Sequence, residues 1–338
     1  MPARDRGLGG LAAGKGGKAL GAFAMGLVLG LMVYVYLPLR ARAWPPVNWG
    51  NPQTWEGFRW LVSGALYRRF VFGLSGTYLL PRLGAWAALL REQFGWVGLA
   101  LGWMGLWAEG SQGRWRRLAF SGPAFLLYTA YALGYDTTDS YVYLLPAHLA
   151  FAWWVVQGLS ALAPASAGGR VEGVRPPVAQ ALRWGGIALL AASVAFRAAL
   201  SFPQMDLRAD WEAARYGRET LAEMPPGALL LAVGDRQVFA LWYFRYGVGE
   251  RPDVAVVTPN LWPYGWYREA VRHTHPDLLP EDGPFPEDLR AFVRRVLATK
   301  RPVVATEEAL QDLALLAFPI RPFRQAIPFY EFLRPDLP

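Results

Sequence analysis

Ala19 to Leu39 reads ALGAFAMGLVLGLMVYVYLPL, 21 residues without a charge between Lys18 and Arg40. At about 1.5 Å rise per residue, a helix of that length crosses the ~30 Å hydrocarbon core of a bilayer. The run is long for the apolar region of a secretion signal, and further apolar runs follow it. It therefore reads as a membrane span, despite the basic tail before it and Ala41-Arg42-Ala43 after it. Uncharged stretches recur at Gln93 to Ala108, Leu118 to Tyr135 and Ser140 to Ala163, and Trp184 to Phe196 lies between Arg183 and Arg197, whose side chains can snorkel. The expected fold class is a membrane α-helical bundle of about five transmembrane helices (about 19-39, 93-108, 118-135, 140-163 and 182-202), followed by a small soluble α/β domain with a parallel sheet over 206-338. Tyr34, Tyr36, Trp44, Trp96, Trp103, Trp107, Tyr128, Tyr131, Tyr135, Tyr141, Tyr143, Trp153, Trp154 and Trp184 crowd the ends of these spans as an interfacial belt does, some of them lining the bundle instead.

Charge divides the chain in the same place. Through Met205 there are 18 Lys+Arg against 7 Asp+Glu, whereas Asp206 to Pro338 holds 16 against 19, so the net charge of +8 belongs to the membrane half. A nucleic-acid footprint needs basic residues gathered on a soluble face, so no nucleic-acid partner is expected. With no cysteine, disulfides, cysteine-ligated zinc and thiol catalysis are excluded.

Short loops set the orientation. Arg4, Arg6, Lys15 and Lys18 in a basic tail over 1-18, Arg114, Arg116 and Arg117 after the second span, and Arg170, Arg175 and Arg183 after the fourth point to the inside. The turn with Asp136 and Asp139 then faces out, and an odd number of crossings exports the C-terminal domain across a cytoplasmic (inner) membrane. The external loop 40-92 holds seven arginines, but it is near the length at which the rule weakens. Within it, Asn51-Pro52 reads as an N-cap and first helical residue. Trp55, Phe58, Val62, Leu66 and Phe70 follow at helical spacing, predicting a helix in the outer membrane interface.

Beyond Pro203, apolar runs Ala228 to Val233, Val254 to Val257 and Pro302 to Thr306 read as buried strands. Helical patterns over 210–224, 236–246, 264–273 and 286–298 alternate with them, as right-handed crossovers require.

Several residues carry candidate chemistry. Arg40 and Arg42 stand where the first span leaves the membrane, and a guanidinium offers a lipid phosphate a fixed fork of donors; interfacial anchoring is the competing role, above all for Arg42. Trp44 and Trp49 can stack on a sugar or prenyl chain, and Asn48 lies between them. Asp136 and Asp139 can bind a metal, orient a sugar hydroxyl or act as a general base, or form only an exposed acidic turn. His148 lies a turn or two into the fourth span, where it is a site residue or an interhelical hydrogen bond. Asp235 follows the first strand, where α/β sheets bind ligands, although capping the next helix is the commoner role. No Gly-x-Gly-x-x-Gly or Walker pattern accompanies it. His273 and His275 have too few partners for a metal site; no residue is assigned as a metal ligand, no cofactor is expected, and a divalent metal is left open.

Three separated stretches carry a resemblance. Tyr36 to Tyr67, with LPLRA (37–41), PPVNWGNP (45–52) and TWEGF (54–58), together with DTTDSYVYLLPAHLAFAWWVVQGL (136–159) and PPGALLLAVGDRQVFALWYFRYGVGERPDVAVV (225–257), resembles a bacterial membrane family long of unknown function. That family is related to eukaryotic protein O-mannosyltransferases of the GT-C glycosyltransferase superfamily. The resemblance implies a polytopic enzyme that takes sugar from a polyprenyl-phosphate donor and transfers it to an extracytoplasmic acceptor. Its members begin with several more spans and carry their catalytic acidic residue in the first external loop, so no carboxylate here inherits that role. A truncated gene, one half of a split enzyme partnered by a separate N-terminal half, or a non-catalytic homologue is then expected. Asp136 and Asp139 are the speculative base, with Arg40 and Arg42 for the donor phosphate. A transporter and a non-enzymatic scaffold displaying the α/β domain are the rival classes; uncharged spans count against the first.

Overall fold

The structure, a computed structural model, describes residues 9–162, 176–278, 285–313, 318–324 and 329–333. Arg4, Arg6, Arg170 and Arg175, which entered the orientation reading, lie outside these residues, as do residues 1–8 of the basic tail. The chain runs through α1 (Gly9–Leu31), α2 (Tyr36–Ala41), α3 (Trp55–Val62), α4 (Leu79–Ser111), α5 (Trp115–Gly134), α6 (Leu145–Ala161) and α7 (Pro176–Met205). It continues with α8 (Glu212–Glu223), β1 (Leu229–Leu231), α9 (Asp235–Trp242), β2 (Ala255–Val257), α10 (Gly265–Thr274) and α11 (Leu289–Ala298). The last elements are β3 (Val303–Thr306), α12 (Glu307–Leu313), β4 (Ile320–Arg324) and β5 (Phe329–Phe332). Two compact units result: Met1–Ala65 with Asp210–Pro338, and Leu66–Ala209.

Among the described residues three helical runs are long and apolar enough to cross a membrane: Leu20–Ala41, Ser140–Ala161 and Trp184–Met205. The expected count of about five is corrected accordingly. The stretches 93–108 and 118–135 do form helices, within α4 and α5. Tryptophans and glycines lower the hydropathy of the first, Arg91, Glu92 and Glu109 bound it, and α4 breaks at Gly95 (φ 63°, ψ 176°). Arg116, Arg117 and Pro123 do the same for α5. In the span Leu20–Ala41, Leu20, Phe23, Leu29 and Val33 are exposed, a surface that lipid covers at no desolvation cost.

In the second unit α4 and α5 pack along α6. A Cβ on Gly105 would collide with the Trp154 carbonyl, and one on Gly158 with the Leu101 carbonyl. Glycine at both positions lets the α4 and α6 backbones touch, as small residues do between membrane helices. Phe151 and Trp154 of α6 fill the core with Leu90, Leu101 and Phe125.

The first unit holds a five-stranded sheet of order β2-β1-β3-β5-β4. β1 pairs in parallel with β2 (Leu229 opposite Ala255) and with β3 (Leu229 opposite Val303), and these three strands are buried throughout. Burial on both faces is why their runs are continuously apolar. The expectation of a parallel sheet holds for that half only, because β5 pairs antiparallel with β3 and with β4. β4 is an edge strand of charged residues around Pro322, which edges tolerate, with Arg321 bonded to Glu331 across the pair at 2.6 Å. Arg251 ties the parallel half together, donating to the carbonyls of Leu221 (2.6 Å) and Met224 (2.9 Å) while its ion pair to Asp253 holds that carboxyl well below the usual range.

Candidate functional site

The segment 44–62 is built by a few local interactions. Asn48, 3% exposed, donates from Nδ2 to the Ala41 carbonyl (3.4 Å) and to Asn51 Oδ1 (3.0 Å), and Gln53 Nε2 reaches the same carbonyl at 3.0 Å. Two side chains thus satisfy the open carbonyl end of α2. Asn48, a candidate site residue by sequence, ties down the loop. Asn51 adopts φ 41° and does not begin a helix; Thr54 is the N-cap, its Oγ1 accepting from Gly57 N at 3.1 Å. Ser63 and Gly64 (φ 60°) end α3, so the long helix expected over 51–70 is a two-turn helix followed by a separate turn.

The apolar face of that helix packs against protein. Trp60 meets Tyr264 (5.8 Å between ring centroids) and Trp266 (5.9 Å), and Trp49 meets Trp266 at 5.4 Å. Val47 and Trp49 pack on the core of the sheet. Close approach is possible because Gly50 (φ 70°) faces the Trp60 ring, where a Cβ would stand 3.0 Å away, and because a Cβ on Gly57 would collide with the Asn51 carbonyl.

Between this segment and α10 lies a groove of about 400 Å³, with Asn51, Glu56, Trp60, Trp266 and Glu269 on its walls. Glu56 is exposed and has no hydrogen bond or ion pair among the described residues. Glu269 is half-exposed and meets His273 Nε2 at 3.3 Å, and His273 stacks on Trp44 at 3.7 Å. The Trp266 indole N–H is buried without an acceptor among the described residues. Indole faces flanked by carboxylate and amide oxygens make a surface that can take the C–H face of a sugar ring and accept its hydroxyl protons.

The sequence candidates distribute as follows. Arg40 and Arg42 are exposed at the end of α2, and neither guanidinium is paired among the described residues. One face of Trp44 is covered by His273, and Trp49 is packed against the core. Asp136 and Asp139 belong to the other unit, exposed, without hydrogen bonds from their carboxylates among the described residues. Their turn is held by Arg82 of α4, which donates to Tyr135 O (2.6 Å), Thr137 O (2.8 Å) and Ser140 Oγ (2.7 Å). A cation on the last carbonyls of α5 is the favourable sign for a helix C-terminus. His148 lies edge-on to Phe94 at 6.0 Å, its Nε2 buried without a partner among the described residues. Asp235 is exposed in the first turn of α9 and makes no side-chain capping bond; Gly234 is the N-cap. His275 turns away from His273 into the core, 2.8 Å from Tyr246 Oη. Burial holds its imidazole down to about 4, with Arg245 and Arg301 adding repulsion, and pushes the Tyr246 hydroxyl up to about 12.

Sequence reading missed Glu56, Trp60, Trp266, Glu269 and Arg82. Two signals were available: Glu56 sits inside the TWEGF stretch, and Glu269 and His273 are one helical turn apart. No family model matches this chain, and no curated protein or solved structure shows significant similarity to it.

Proposed function

We propose that the protein is a membrane glycosyltransferase-related protein of the polyprenyl-phosphate-dependent kind, and that it holds a sugar in the groove between residues 50–60 and α10. The observation that carries this reading is the conjunction, in one groove, of two indole walls and two carboxylates, Glu56 and Glu269, neither bound to Lys or Arg among the described residues. A phosphate or nucleic-acid site would need cations there instead.

Arg40 and Arg42, unpaired at the exit of the first span, suit the donor phosphate in this reading. The reading places the chain in an inner membrane with the α/β domain outside. The test is incubation of the purified full-length protein with a radiolabelled polyprenyl-phosphate sugar in detergent. Saturable retention or transfer of label that falls in Glu56→Gln supports the reading. Label retained equally by wild type, Glu56→Gln and a protein-free micelle removes it.

A further inference from the structure

A second groove, of about 660 Å³, runs between α5 and α6 within the Leu66–Ala209 unit. Its walls are apolar: Phe120 and Leu149 are 82% and 65% exposed, with Ala124 and Trp153 between them. One end carries Arg116 and Arg117, with Arg114 one turn earlier.

Among the described residues these three guanidiniums lack anionic partners. Arg114 and Arg117 donate to the neutral Gln157 Oε1 at 3.3 and 3.5 Å, Arg117 also lies over the Trp153 ring at 5.9 Å, and Arg116 makes no hydrogen bond or ion pair among the described residues. The nearby carboxylate of Glu109 is fully buried and accepts from the Trp153 indole at 3.1 Å, which fixes that wall of the groove. A second indole, Trp154, is held by Ser121 Oγ at 3.0 Å, which in turn donates to the Arg117 carbonyl. The walls are therefore built, while the charge at the end is not neutralised from within.

We propose that this groove binds one anionic phospholipid of the surrounding membrane, its phosphate on Arg116 and Arg117 and an acyl chain along Phe120, Ala124 and Leu149. Basic residues at one end of an apolar interhelical groove select an anionic headgroup, because the chain stays in hydrocarbon while the phosphate finds donors at the interface. A soluble phosphate has no use for the apolar length, and a polar peptide none for the chain-sized slot. The site is separate from the proposed donor chemistry. Arg116 stands about 30 Å along α5 from Asp136, by helix rise alone, and at the same end of α6 as Gln157.

The test uses the full-length protein in nanodiscs of phosphatidylcholine with one part in five phosphatidylglycerol, with lipid retention read by native mass spectrometry. Wild type retains one phosphatidylglycerol per chain in preference to phosphatidylcholine by about tenfold or more. Arg116→Ala with Arg117→Ala abolishes the preference, and Ala124→Trp, which fills the slot, loses the retained lipid. Since Arg116 has no partner among the described residues, Arg116→Ala alone weakens the preference without lowering the melting temperature. Equal retention of both lipids by wild type refutes the site, as does an unchanged preference in the double variant. Displacement of phosphatidylglycerol by equimolar polyprenyl phosphate also refutes it, by assigning the groove to the donor.

Discussion

Lowering the pH tests whether the core of the α/β unit is packed around a neutral imidazole. His275 is 6% exposed, bonded to Tyr246 Oη and faced by Arg245 and Arg301, so burial and repulsion hold its folded pKa at about 4 against an ordinary value of 6.5. Because the folded value is the lower one, the unfolded chain binds the extra proton. Stability is complete above pH 6.5, falls as pH drops toward 4, and loses nothing more from this group below that. The full gap corresponds to about 3 to 4 kcal/mol, of which about three quarters appears between pH 7.5 and 4.5. Asp253 has a depressed pKa, and its own contribution is lost only below its ordinary 3.8, outside that window. Hydrogen exchange of the Leu229–Leu231 amides in the full-length protein reads the local opening free energy. His275→Gln keeps a polar partner for Tyr246 and removes the titration, so its profile should be flat from pH 7.5 to 4.5. An equal decline in wild type and variant would refute the assignment.

Three further outcomes follow from other contacts. Arg82→Ala removes three short charge-assisted bonds from the 135–140 turn, and should cost about 2 to 3 kcal/mol and raise hydrogen exchange there selectively; uniform exchange across the unit would argue against it. Gly57→Ala drives a Cβ into the Asn51 carbonyl, and should cost about 1 to 3 kcal/mol while weakening sugar binding; a neutral, fully binding variant would show the loop to be slack. Arg40→Lys keeps the charge but loses the planar fork, and should reduce polyprenyl-phosphate affinity by about tenfold, measured by equilibrium retention; unchanged affinity in both Arg40→Lys and Arg40→Ala would make it an anchor.

The apolar signals carried the fold a long way. The runs 19–39, 140–163 and 182–202 met their helices because length and hydropathy act on each segment alone. The three parallel strands were legible because burial on both faces leaves a continuous apolar run. β4 and β5 were not, because IRPFR and FYEF take their conformation from a neighbouring strand and from the Arg321–Glu331 pair. The spans expected at 93–108 and 118–135 failed for a related reason. Gly102 and Gly105 of the first serve contact with α6, Pro123 and the flanking Arg116 and Arg117 limit the second, and a window without charges does not weigh such residues.

The groove was harder still. Segment 44–62 reads locally as an interfacial turn and amphipathic helix, whereas its partner α10 lies about 200 residues later in the chain. No local pattern announces that Trp60 and Trp266 meet. Asn48 and Trp49 looked like ligand contacts because polar and aromatic residues at a membrane exit suit that role equally well; their hydrogen bonds and packing show them holding the loop.

The most direct measurement is sugar binding in that groove: a glycan array probed with full-length wild type and with Glu56→Gln/Glu269→Gln, both in detergent and matched for melting temperature. The expected result is saturable retention of a defined set of glycans by wild type and a loss of about tenfold or more in the double variant, since each carboxylate would accept a sugar hydroxyl. Absence of any glycan binding by wild type, or equal binding by the two proteins, would contradict it.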